Sequence, residues 1–106
     1  MIDGYLIKHS GEIANYTFEF ANELPSGETI STKTITMFDS AENEMSATGV
    51  TSSSISGSTV IVKLAAIGDD SIGMDYRLVC KVTFSSSTQT PYKIAEIRVR
   101  NKVING

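Results

Sequence analysis

The strongest constraint on the fold of this chain is an eleven-residue alternation, Met74–Phe84, which reads MDYRLVCKVTF. Every second residue from Met74 onward is apolar, and the positions between them are polar or charged except at Val79. Because successive side chains of a β-strand point to opposite faces, this pattern predicts a half-buried strand. A strand that is apolar on one face needs a second layer to cover that face.

Other segments share this strand chemistry, being rich in β-branched and aromatic residues and bounded by turn residues. The segment Ser46–Ser58 is polar, and we expect a loop there, held by Val50 and Ile55. The further predicted strands are Tyr5–Lys8, Tyr16–Phe20, Thr29–Phe38, Thr59–Ile67 and Tyr92–Lys102. We expect the first of these to lie at the edge of a sheet.

The predicted fold class is therefore all-β. Short strands separated by turn signals, with no sustained helical period, favour two packed sheets. We expect a single antiparallel β-sandwich of about seven strands, of the immunoglobulin or fibronectin-III type. A chain of 106 residues makes one domain, residues 1–106, in which residues 101–106 are expected to fray.

Composition excludes several function classes. The net charge of −3 argues against nucleic-acid binding, which needs clustered basic residues. One cysteine cannot form an intramolecular disulfide or a cysteine-based zinc site. No apolar run approaches the roughly 20 residues that span a bilayer. We expect no cofactor, no nucleic-acid partner and no membrane partner.

Two residues of the long strand have expected structural roles. Sandwiches of this type often carry a tyrosine near the start of a late strand, and its hydroxyl bonds the backbone upstream. Tyr76 occupies such a position, so we expect a tyrosine corner there. Cys80 shares its face, and free cysteine packs as a small buried apolar group. A buried core thiol is therefore expected rather than a nucleophile.

Acidic loops raise the question of calcium. Asp69, Asp70 and Asp75 follow one another closely, and Asp39–Glu44 forms a second acidic loop. Calcium takes six to eight oxygen ligands, yet the D-x-D-x-D-G pattern is missing, and turn acids are usually solvated. We therefore assign no metal site.

Catalytic chemistry has little support in the sequence. The single histidine, His9, could supply the base of a Ser-His-Asp triad, but the sequence does not show that the three side chains come together in space. No G-x-S-x-G elbow is present. No catalytic residues are assigned, and the chain is predicted not to be an enzyme.

Basic residues recur on one face of the last predicted strand, at Arg98, Arg100 and Lys102. Such a stripe is usually a solvated face that also discourages edge-to-edge pairing. It is also a possible docking surface for an acidic partner, together with the tip loops Gly68–Gly73 and Asp39–Glu44.

With the strands placed, the chain contains the stretch IKHSGEIANYTFEFANELPSGETISTKTITM, in which Leu24–Ile30 forms an L-x-x-G-[DE]-x-I turn. In this stretch it resembles a family of small phage and prophage proteins with an immunoglobulin-like sandwich. A polar linker, a β-branched strand, the strand at Tyr76 and a final strand follow. It covers nearly the full length and rests mostly on turn and strand motifs.

This resemblance implies a non-enzymatic phage structural protein. It implies a virion-associated or assembly role by protein–protein docking, at the head–tail or tail and fibre region. Other phage structural proteins would be the partners, with a possible homo-oligomer, and the location would be the virion, with the host cytoplasm during assembly. The alternative is an immunoglobulin-like adhesion module that binds glycans or a cell surface.

Overall fold

The computed structural model describes residues 3–8, 13–66, 74–85 and 90–99. These residues form seven strands and one short helix. In chain order the elements are β1 (Gly4–Lys8), β2 (Ala14–Glu19), β3 (Ile30–Phe38), α1 (Ser46–Gly49), β4 (Val50–Ser56), β5 (Thr59–Leu64), β6 (Met74–Phe84) and β7 (Tyr92–Val99).

The strands form two sheets. Sheet A has four strands in the order β1-β7-β6-β3, and sheet B has three in the order β2-β5-β4. All pairs are antiparallel except β1 with β7, which run parallel. The all-β sandwich of about seven strands is thus confirmed. Its assignment to the immunoglobulin or fibronectin-III type stays a prediction.

The core lies between the sheets and follows the predicted parity. In β6 the side chains of Tyr76, Leu78, Cys80, Val82 and Phe84 are all buried. Sheet B faces them with a second buried set, and both sets belong to one cluster. The other buried apolar residues of the core are Phe18, Phe20, Ile30, Met37, Val60, Val62, Leu64, Ala95, Ile97 and Val99.

Two local predictions need correction. The segment predicted as a loop contains α1 and β4, because β4 gains a complete hydrogen-bonded partner in β5. Strand β5 ends at Leu64, so Ala65 and Ala66 of the predicted strand Thr59–Ile67 lie beyond it, and Ala66 is exposed.

The β4–β5 hairpin explains why a serine-rich segment becomes a strand. Ser56 pairs with Thr59 across the two-residue turn Gly57–Ser58. Gly57 has φ 61°, a left-handed conformation that glycine adopts without steric cost. A glycine at the first position of a two-residue turn gives the twist that a hairpin requires. The turn therefore sets the register that the serines follow.

One buried residue has no counterpart in the sequence-based predictions. Lys8, the last residue of β1, is fully buried. It follows Gly4 and Leu6 on the side of β1 that turns away from solvent. Parity places Lys8 on the same face as Gly4 and Leu6, because every second residue of a strand points to the same face. The pairing of β1 with β7 makes this face the inner one, since the partners Ala95, Ile97 and Val99 are buried.

Among the residues that the structure describes, no helix is long and apolar enough to cross a membrane.

Candidate docking surfaces

The outer face of sheet A is built by register. Cross-strand partners share a face, so Tyr5, Glu96, Arg77 and Phe38 form one row across all four strands. Neighbouring rows are aligned in the same way. We call this surface the sheet A face; its residues are Tyr5, Ile7, Thr34, Thr36, Phe38, Asp75, Arg77, Val79, Lys81, Tyr92, Ile94, Glu96 and Arg98.

The sheet A face carries large exposed apolar side chains. Tyr5 is 57% exposed, Ile7 52% and Tyr92 62%. Val79 and Ile94, which are cross-strand partners, and Phe38 are half-buried on the same face.

The outer face of sheet B is different. Within the described strands β2, β4 and β5, Ile61 is the one apolar residue on this outer face, among polar side chains. The residues of that face are Asn15, Thr17, Glu19, Ser52, Ser54, Ser56, Thr59, Ile61 and Lys63. The two faces of the sandwich thus differ sharply in apolar content, although both are open to solvent.

The two arginines of the sheet A face are each paired with a carboxylate. Arg77 donates two hydrogen bonds to Glu42, at 3.0 Å and 2.6 Å, and its guanidinium stacks 5.0 Å from the Phe38 ring. Arg98 donates to Glu96 at 2.7 Å and lies 4.4 Å from the Tyr5 ring. The bidentate hydrogen bond lowers the pKa of Glu42 and raises the pKa of Arg77. Because the guanidinium groups are planar and are held by carboxylates and aromatic rings, Arg77 and Arg98 present a flat surface.

A shallow pocket of about 250 Å³ lies at one end of this face. The turn after β3 forms one wall, with Asp39 and Glu42, and β6 and β7 form the other, with Asp75, Arg77 and Glu96. Asp39 is committed to its own turn, since it accepts hydrogen bonds from the backbone N–H groups of Ala41 and Asn43. Among the described residues, no group of His, Cys, Asp or Glu is arranged to hold a metal ion.

The residues singled out in the sequence lie in several places. Cys80 is fully buried, and burial raises the pKa of its thiol to about 12. Tyr76 is also buried, and burial, followed by the Asp39 carboxylate, raises its pKa. The loop before Tyr76 lies outside the described residues, so the tyrosine corner stays a prediction.

The predicted basic stripe is described only at Arg98, which lies on the sheet A face. Arg100 and Lys102 lie outside the described residues, as do His9, Asp69, Asp70 and the tip loop Gly68–Gly73. A docking role for the stripe therefore stays a prediction.

Sequence reasoning missed the sheet A face as a surface. One signal was available: Val79 breaks the polar parity of its strand, and Tyr5 and Ile7 are apolar at alternate positions of an edge strand. Only the strand order shows that these residues share a face.

Comparison with curated proteins gives no match. A family model described as podophage GP4 fiber-tail adaptor protein gp77 matches residues 8–95. This confirms the resemblance at the level of a phage structural family, whereas its immunoglobulin-like detail stays a prediction. Because the match covers most of the seven strands, the chain belongs to the podophage fiber-tail adaptor family.

Proposed function

We propose that this protein is a non-enzymatic adaptor of the phage virion that docks a neighbouring tail protein on its sheet A face. The observation that carries the proposal is the contrast between the two outer faces. Tyr5, Ile7 and Tyr92 stand exposed on one, whereas the other presents serine, threonine and charged side chains. A family whose described role is fiber-tail adaptor supports docking rather than catalysis.

The composition of the sheet A face suits a protein partner. Protein interfaces combine an apolar, aromatic centre with a polar rim and are enriched in tyrosine and arginine. Here Arg77 and Arg98 are already paired with carboxylates of this chain. A partner that covers these two arginines therefore does not have to supply carboxylates of its own. Contact with proteins, rather than nucleic acid, also agrees with the net charge of −3.

The proposed partners are other phage structural proteins of the tail and fibre region. The proposed location is the virion, reached through the host cytoplasm during assembly.

The test is incorporation into particles. Ile7→Lys places a charge in the apolar part of the sheet A face. Its matched control is Ile13→Lys, because Ile13 is 61% exposed and precedes β2 of the other sheet. We expect Ile7→Lys to reduce the copy number per gradient-purified particle about tenfold, since a charged side chain buried without a partner is costly. Peptide mass spectrometry measures the copy number.

The control variant should incorporate like the wild type, and both variants should keep the wild-type melting temperature. Equal incorporation of Ile7→Lys and wild type would exclude the sheet A face as the docking surface. Absence of the wild-type chain from intact particles would exclude the virion role itself.

A further inference from the structure

Four strands lie at sheet edges in the described part of the chain, and three of them contact another part of the sandwich at their edge. On β1, Gly4 lies against the Tyr16 hydroxyl of β2, so a side chain of one edge strand contacts the other. On β3, the main chain of Met37 bonds to Met45 and to the Ser46 hydroxyl. Such coverings and edge charges keep unpaired strand edges from pairing with other chains.

Strand β4 is the exception. Its sequence VTSSSIS holds no charged residue and no proline, and its bulge is confined to the start, between Val50 and Ser52. Within the described part of the chain, β4 pairs with β5 alone. Its second edge is therefore open to another strand from Ser53 onward.

The direction of the free main-chain groups follows from the β5 ladder. Ala65 donates to the Gly49 carbonyl, on the β4 side, and the Ser58 carbonyl accepts from Phe20, on the β2 side. Odd-numbered residues of β5 therefore bond towards β4. Ser54 pairs with Ile61, so its main chain points to β5.

The N–H and C=O groups of Ser53 and Ile55 point the other way, because the direction alternates along an antiparallel strand. This leaves two residues with main-chain groups aimed out of the sheet at the open edge of β4.

These outward groups fit a second copy of the same strand in one register. If Ser54 lies on a two-fold axis, Ser53 of each copy stands opposite Ile55 of the other. Both residues have outward main-chain groups, so each Ser53–Ile55 pair exchanges two hydrogen bonds. We propose that two copies of this chain associate by antiparallel pairing of their β4 strands about Ser54, which joins their B sheets into one.

The side chains fit this arrangement. Ile55 is 37% exposed although its cross-strand partner Val60 is fully buried, and an added strand covers it. The uncharged strand places no like charges opposite each other, a juxtaposition that otherwise destabilises strand pairs. A two-fold contact uses the same patch on both copies and closes the assembly at a dimer. The surface lies on sheet B and does not depend on the sheet A face.

An experiment that introduces charges at position 54 tests the pairing. Ser54 is exposed, and in the dimer it faces its own copy. We expect sedimentation equilibrium to show that the dimeric fraction of the wild type rises with protein concentration. Ser54→Asp and Ser54→Lys should each weaken the dimer about tenfold, because like charges then meet on the axis. An equimolar mixture of the two variants should restore association as a heterodimer.

The matched control is Thr17→Asp, which adds the same charge to the same face of sheet B on the β2 strand. It should dimerise like the wild type. Ile7→Lys should also dimerise like the wild type, so a failure of docking on the sheet A face can be distinguished from a failure of dimerisation through β4. A wild type that stays monomeric overturns the proposal, and so does a Ser54→Asp dimer of wild-type strength. A monomeric wild type whose Ser54→Asp variant is lost from particles would show instead that β4 receives a strand of another phage protein.

Discussion

At the scale of single residues, Gly4 of β1 lies against the side chain of Tyr16 in β2, in the other sheet. A Cβ atom at position 4 would overlap the Tyr16 hydroxyl and lie 3.2 Å from the carbon that bears it. The Tyr16 ring cannot move freely, because it packs edge-on against Phe18 with ring centres 4.9 Å apart. Burial, followed by the charge of Asp3, raises the pKa of Tyr16, which agrees with its enclosed position.

We therefore predict that Gly4→Ala lowers the free energy of unfolding by about 1–3 kcal/mol, the usual cost of overpacking. The double variant Gly4→Ala with Tyr16→Phe lacks the overlapping oxygen and should recover most of that loss. Urea unfolding of the wild type, both single variants and the double variant measures the coupling. Additive effects in this cycle would contradict the contact.

At the scale of elements, the turn after β3 is held by one carboxylate. Asp39 accepts from the N–H groups of Ala41 and Asn43, both at 2.9 Å, and its own N–H donates to the Asn43 carbonyl. The turn also contains Glu42, which has φ 68° and pairs with Arg77 of β6. One carboxylate thus shapes the turn that carries the Arg77 partner and lines the pocket.

The hydrogen bond from the Asn43 N–H, with a smaller contribution from Ala41, lowers the pKa of Asp39. A carboxyl group whose pKa is lower in the folded state stabilises the fold above its unfolded pKa, about 3.9. That stabilisation is lost as the pH falls through the lowered folded value. We predict that Asp39→Ala melts below the wild type at pH 7 and that the gap narrows near pH 3.

Thermal melts of the wild type and Asp39→Ala across this pH range provide the measurement. Ser40→Ala, at an exposed neighbouring position, is the control and should melt like the wild type at every pH. A gap of constant size from pH 7 to pH 3 would show that the charge of Asp39 contributes nothing.

At the scale of the whole molecule, the single cysteine reports on the integrity of the core. Cys80 lies in the middle of β6, between β3 and β7, and is fully buried among side chains of both sheets. Its pKa of about 12 leaves almost no thiolate at neutral pH. Only the thiolate reacts readily, so both access and ionisation require the sandwich to open.

We predict that a thiol reagent labels native Cys80 at the rate set by global opening, and that urea accelerates labelling as it destabilises the fold. A Thr17→Cys variant supplies an exposed thiol on the same scaffold and should react at once with one equivalent. Mass spectrometry with time distinguishes the two sites. Rapid labelling of Cys80 in the wild type would show an opening of the core that is independent of global unfolding.

The sequence by itself determined which strands exist where alternation is strong, and which of their faces is buried. The parity predicted for Met74–Phe84 was confirmed from Asp75 to Phe84, because side-chain direction along a strand is a local property with a period of two. It did not determine β4, whose serines carry no alternation and whose strand state depends on pairing with β5.

Only the tertiary structure decided which strands are neighbours. The parallel pairing of β1 with β7 joins residues about ninety positions apart, and it assembles Tyr5, Glu96 and Arg77 into one row. The burial of Lys8 and the open edge of β4 follow from the same strand order. Local sterics determine which side chains of a strand share a face. Long-range pairing determines which strands lie side by side, and a docking surface consists of residues from several neighbouring strands.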